Sequence, residues 1–218
     1  LKNSRNASLI LAVLAAALYI LLFFLHRLGP LDFWWWMSAD IIVLVSLSFA
    51  LDRSFLTLRS GTCRREAWKQ VLLGVFSAVV LYFIFYVGNS VSRLVFPFAA
   101  GGIQNVYSFR EGASPLRITL LILLLIGPGE ELFWRGFIQR GWQNRFGPLI
   151  GWILASGLYS LVHVGSGNIM LILAALICGL FWGGLYLRCR SLLLVAVSHT
   201  LWDILIFVLF PLEKGLSP

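Results

Sequence analysis

The sequence predicts an all-α fold, a polytopic transmembrane helical bundle of about seven to eight helices, and three observations predict it. Of the 218 residues, 60% are hydrophobic and only 12% are charged, whereas soluble domains are about one-quarter charged. Mean hydropathy is +0.90, which is more apolar surface than a soluble core of this size can hide. The apolar residues fall into runs of about 20, the length that crosses a bilayer as a helix, and the charges gather between the runs. The whole of 1–218 therefore reads as a single integral membrane domain with lipid as its first partner.

The runs, in order, are 7–25, 33–51, 68–88, 116–142, 148–164, 168–188 and 191–210. Seven helices follow, and a break or re-entrant piece in one of them makes eight. The first run is long for a signal peptide and ends in Phe23-Phe24-Leu25-His26-Arg27 with no small-residue cleavage site, so it is expected to stay as a helix. His26 reads as interfacial, and Trp34-Trp35-Trp36 as an aromatic anchor at the membrane surface. The connection 89–115, with Phe96, Pro97, Phe98, Gly101, Gly102 and Phe109, reads as a segment along the outer interface. The three cysteines, Cys63, Cys178 and Cys189, form no Cys-x-x-Cys pair and no zinc spacing, so no redox role is assigned. Cys178 is expected to pack as a small hydrophobe.

The net charge is +8 and the pI about 9.9. A basic balance can signal nucleic acid, but here Lys and Arg alternate with the spans. Lys2 and Arg5, then Arg53, Arg59, Arg64, Arg65 and Lys69, then Arg140 and Arg145, then Arg188 and Arg190, all fall on one side of a seven-span chain. The opposite connections hold Arg27 and Asp32, then Arg93, Arg110 and Glu111, then the neutral stretch 165–168. Cytoplasmic loops carry the excess of Lys and Arg. The expectation is a multi-pass protein of the cytoplasmic membrane, N-terminus inside and C-terminus outside, with no nucleic-acid partner.

An ionisable side chain within the bilayer costs at least about 2.5 kcal/mol, so such residues are functional candidates by default. Three places break the apolar pattern. Gly127-Pro128-Gly129-Glu130-Glu131 is followed by Arg135; Tyr159 is followed by His163; and His199 is followed by Asp203. Glu131 and Arg135 are four apart and can pair on one helix face, which leaves Glu130 to face a cavity. The two glycines are expected to allow close approach of backbone or water. His199 and Asp203 share a face, so the carboxylate can orient the imidazole. With a reversal near Phe146-Gly147-Pro148, Glu130 and His163 each lie about 16 residues from the turn, roughly 20–25 Å along their helices, and are expected to stand level. His199 lies only about nine residues past Arg190, roughly 13 Å along its helix, so tilt, stagger or a broken helix has to bring it to the same height.

Peptide hydrolysis needs an activated water and a stabilised oxyanion. A carboxylate in an apolar cavity is a usable general base, and Glu130 is the candidate. His163 and His199 can hold the water, donate to the oxyanion or protonate the leaving amine. Alternatively, Glu130, His163 and His199 form a set that suits a divalent metal such as zinc. The residues alone do not choose between the two. Intramembrane Glu and His also suit an ion-coupled transporter, or a catalytically silent scaffold that keeps the fold.

Glu130-Glu131-x-x-x-Arg135, Tyr159-x-x-x-His163 and His199-x-x-x-Asp203 resemble the successive motifs of the CAAX-protease and bacteriocin-processing intramembrane endopeptidases, which include the type II prenyl-protein enzyme. The resemblance covers about 116–210, where the catalytic helices are expected; the first three helices contribute little to it. It implies cleavage of a membrane-associated protein or peptide, one with a membrane-anchored or C-terminal tail. Glu130 would activate water, Glu131 and Arg135 would support it, and His163, His199 and Asp203 would hold the water and the oxyanion. The family has been described both as metalloproteases and as metal-free glutamic proteases. The third motif of the family often ends in Asn where this chain has Asp203, and an ionised Asp does not donate to an oxyanion. The short chain looks like a prokaryotic member, a group that includes myxosortase-type sorting proteases, so a prenylated substrate is not implied.

Overall fold

The computed structural model describes residues 2–25, 29–52 and 66–213, with side chains of the first helix from Ala7 onward. His26, Arg27, Arg53, Arg59, Cys63, Arg64 and Arg65 lie outside the described residues, so the readings placed on them stay with the sequence.

Helices α1 (Lys2–Leu25), α2 (Phe33–Leu51) and α3 (Ala67–Val95) come first, followed by the short α4 (Ala99–Tyr107). A helical run from 115 to 146 then alternates between α-helix and π-helix. It consists of α5 (Pro115–Leu121), a π segment at Ile122–Ile126, α6 (Gly127–Glu131), a longer π segment at Leu132–Gln139, and α7 (Arg140–Phe146). The chain reverses into α8 (Pro148–Leu161), which tightens into a 3₁₀ turn at Val162–Ser166. Helices α9 (Ile169–Cys189) and α10 (Leu192–Ile204) complete the bundle, with a last π segment at Leu205–Leu209.

Among the described residues six helices are long and apolar enough to span a membrane: 7–25, 33–51, 67–95, 148–166, 169–189 and 192–209. The run 116–142, counted from sequence as a seventh plain span, is not among them. Its charges and its π segments divide it into short pieces. It still travels from one end of the bundle to the other, because Arg117 near its start pairs with Asp32 and Arg140 near its finish pairs with Asp52. The segment 89–115, whose shape is not readable in sequence, is the end of α3 followed by α4 and a 3₁₀ turn at Ser108–Arg110.

Local chemistry sets these boundaries. Asp32 caps α2 by accepting from the Trp34 amide at 3.1 Å, and Ser114 caps α5 with Pro115 at its first position. Asn168 and Ser191 do the same for α9 and α10. The reversal between α7 and α8 needs Gly147, whose φ of +92° is closed to most side chains. Pro148 then opens α8 with φ already set for a helix.

Polar pairs mark the two ends. At one end, Arg140 meets Asp52 at 3.0 Å and Arg190 donates to Gln143 at 2.7 Å. At the other, Arg110 meets Glu213 at 2.9 Å and Asn168 donates to the Gly102 carbonyl at 2.7 Å. The tryptophan triplet divides between roles rather than acting as one anchor. Trp34 is buried and donates to the Phe109 carbonyl at 2.9 Å, whereas Trp35 is exposed beneath the Arg117 guanidinium. A helix turns successive side chains about 100° apart, so three in a row cannot all face one interface.

Candidate active site

Glu130, Glu131, Arg135, His163, His199 and Asp203 are all buried in the middle of an otherwise apolar bundle. Glu130 is held at both oxygens. Tyr19 of α1 donates to Oε1 at 2.7 Å, and Tyr159 of α8 donates to Oε2 at 3.2 Å. Glu131 turns the other way. Its Oε1 accepts from Arg135 Nη1 at 2.8 Å and from His199 Nδ1 at 2.6 Å. The Arg135 guanidinium lies between the faces of Tyr159 and Trp182, at 4.8 and 5.5 Å from their ring centres. A buried cation needs such partners, because its desolvation costs several kcal/mol unless paired.

His199 is the hub between helices. Its ring stacks on Trp182 with centroids 3.8 Å apart. Nδ1 donates to the Glu131 carboxylate, so Nε2 faces the opposite way, 3.5 Å from Glu130 Oε2 and 3.4 Å from Asp203 Oδ2. A neutral ring protonated at Nδ1 would present a lone pair to two carboxylates. A proton therefore has to sit among these three groups, on Nε2, on a carboxyl, or on a water between them.

The close contact between α6 and α10 depends on Gly127. A Cβ there would come within 2.2 Å of Thr200 Oγ1 and 3.0 Å of its Cα. Gly129 does the same for α2, where a Cβ would meet Ile41 Cγ2 at 2.3 Å. The glycines flanking Pro128 thus let two neighbouring helices reach the carboxylates.

The count along the hairpin puts His163 beside Glu130; the α8 side chain that bonds Glu130 is Tyr159, one turn earlier, and His163 lines the same cavity. A π-helix holds more residues per turn than an α-helix, and a 3₁₀ helix rises more steeply. The π segment at 132–139 shortens the rise between Glu130 and the α7–α8 turn. Glu131 meets His199 directly at 2.6 Å, so the third motif does reach the carboxylates. His163 instead donates from Nδ1 to the Tyr159 carbonyl at 2.8 Å and lies against Phe23, centroids 4.5 Å apart. Since a carbonyl only accepts, the proton is on Nδ1 and Nε2 is the free acceptor of the neutral ring.

Glu130, Tyr159, His163, Cys178, His199 and Asp203 line one cavity of about 320 Å³, with Asn89, Ser92 and Tyr107 as further polar groups. The rest is largely aromatic and aliphatic, from α1, α2, α3, α4, α9 and α10. The metal set considered from sequence does not come together. Among the described residues no group of three His, Cys, Asp or Glu side chains is arranged to hold a metal ion. The first three helices contribute more than expected. Tyr19 makes the shortest hydrogen bond to Glu130, and its only trace in the sequence is a lone hydroxyl in the apolar run 9–25.

Comparison with curated proteins and with solved structures gave no match in either case. Residues 111–205, the stretch that carries all three motifs and every charged member of the cluster, match the family described as Type II CAAX prenyl endopeptidase Rce1-like.

Proposed function

We propose that this multi-pass protein is an intramembrane endopeptidase in which Glu130 is the general base. The observation that carries the proposal is a carboxylate fixed at both oxygens by phenols, beside a histidine, inside an apolar cavity. The family match supports a peptidase in general; the residue roles are our reading of the geometry.

In this reading a water lies in the cavity against Glu130, and His163 Nε2 accepts one of its hydrogen bonds. Glu130 takes a proton as the water oxygen attacks the scissile carbonyl carbon. The carbonyl oxygen becomes an oxyanion, and His199 Nε2–H donates to it. Such aimed donors in a site without bulk water supply much of a hydrolase's rate. The proton on Glu130 passes to the leaving nitrogen as the C–N bond breaks. Glu131 and Arg135 do not touch the reacting atoms. They hold the His199 ring by its Nδ1, which fixes the direction of Nε2. Asp203 keeps a proton near Nε2 and sets the ring from the other side.

The cavity supports a substrate class. Its apolar wall suits a peptide segment already held at a membrane, such as the tail of an anchored protein. The cavity is lined by α4 and Leu212, at the end opposite the Arg140 and Arg190 connections. If the positive-inside rule sets the orientation, substrates arrive from the outer face. The purified protein in detergent, offered a panel of tailed peptides and single-span proteins, is expected to yield discrete products by mass spectrometry. A broad panel left intact would overturn the peptidase reading. Labelling of cysteines placed at the exposed Gln104 and Asn144 in whole cells tests the orientation, and labelling of only the second by an impermeant reagent would reverse it.

A further inference from the structure

Beyond the last π segment the chain does not run out from the bundle. Phe210, Pro211, Leu212 and Glu213 form a non-helical strap lying against the cavity, which Leu212 lines. Pro211 favours this by removing a helical donor. The Leu212 side chain is buried and is itself part of the cavity wall.

Side chains from other elements hold the strap by its backbone. Tyr82 donates to the Phe210 carbonyl at 3.0 Å. The Leu212 amide donates to the Tyr107 hydroxyl at 2.7 Å. The Leu212 carbonyl accepts from Asn89 at 3.2 Å and lies 3.5 Å from Arg93 Nη2, which also reaches the Glu213 carbonyl at 2.8 Å. Arg110 pairs with the Glu213 carboxylate at 2.9 Å. Burial pushes the Tyr107 hydroxyl up to about 12, so it remains a neutral phenol.

Backbone hydrogen bonds to a short extended segment, a pocket for one side chain and a cation for the next are the elements by which proteins recognise extended peptides. We propose that Tyr82, Asn89, Arg93, Tyr107 and Arg110 form a clasp for an extended peptide with an apolar residue followed by an acidic one, that Phe210–Glu213 occupies it in cis, and that a substrate segment displaces the strap to reach Glu130. The last step rests on the peptidase reading; the clasp does not. A purely structural strap would tie α10 to α3 and α4 but would offer nothing to a peptide added from outside.

A fluorescein-labelled peptide Ala-Phe-Pro-Leu-Glu-Ala, titrated against the detergent-solubilised full chain and read by fluorescence polarisation, separates these cases. Occupancy in cis reduces apparent affinity by the fraction of clasps left open. Leu212→Asp combined with Glu213→Lys is expected to bind the peptide at least about tenfold more tightly than the parent chain. Glu213→Ala, which leaves Leu212 in place, guards against loss of fold and is expected to give a smaller gain. Adding Arg93→Ala to either variant should cancel the gain. All of these titrations are made in the Glu130→Gln background, where the labelled peptide is not cut, so they read the clasp whether or not the protein cleaves peptides. Equal affinity of parent and strap variants, indifference to Arg93, or no binding by any variant overturns the proposal.

Discussion

Tyr19 donates its hydroxyl to Glu130 Oε1 at 2.7 Å across 111 residues of sequence, linking the first helix to the proposed general base. A hydrogen bond to a charged group contributes about 1.5–3 kcal/mol. If it positions Glu130 for the reaction, Tyr19→Phe should lower kcat roughly 10–100-fold. Because the ring and its edge contact with Trp134 remain, thermal stability in detergent should change little. A fall in stability with unchanged kcat would make Tyr19 a packing residue only.

Gly127 and Gly129 should respond differently to alanine. At Gly127 the new methyl meets the α10 backbone at Thr200, which cannot yield without moving His199. Displacing a catalytic group by about 1 Å can cost on the order of 100-fold in rate, and Gly127→Ala should lose at least that much. At Gly129 the obstacle is the tip of Ile41. Gly129→Ala should be rescued by Ile41→Ala, as read by thermal melting and by cleavage rate in the double variant. Failure of that rescue would mean the α2–α6 contact is set elsewhere.

Arg135 should matter more to stability than its distance from the chemistry suggests. Breaking a buried ion pair by removing one partner costs about 3–5 kcal/mol, and Arg135→Ala should destabilise the protein by that amount in denaturant titrations. Arg135→Lys should rescue only part of it, because a lysine cannot lie flat between Tyr159 and Trp182 as the guanidinium does. Removing both charges, with Glu131→Gln and Arg135→Met, should cost less than the sum of the single changes.

Asp203 faces His199 Nε2 at 3.4 Å. Asp203→Asn keeps the shape and adds a donor for the oxyanion, so cleavage should stay within about tenfold of the parent. Asp203→Ala removes the group that sets the ring and should lose about 100-fold or more. Equal loss in both would show that the carboxylate charge itself is required.

The helices were legible where lipid imposes one simple rule, that a spanning segment be apolar and about 20 residues long. Asp32, Ser114, Asn168 and Ser191 mark helix starts that capping chemistry explains. The charged residues of the cluster stood out because lipid makes such residues rare. Their arrangement was not legible. Leu132 to Gln139 carries no residue that distinguishes a π-helix from an α-helix, and the bond from Tyr159 to Glu130 has no signature in the spacing either. Tyr19 was passed over because a single tyrosine in an apolar helix is ordinary. The strap at 210–213 was invisible because its partners, Tyr82, Asn89, Arg93 and Tyr107, are scattered over α3 and α4.

The most direct test of the central claim is the cleavage rate of Glu130→Gln beside the parent on a substrate that the parent cuts. The amide keeps the size of the side chain and an oxygen that can accept from Tyr19 or Tyr159, but it cannot take a proton from water. The expected result is a folded protein, with an unchanged melting profile, that yields no product. Retained cleavage by Glu130→Gln would contradict the assignment of Glu130 as the base.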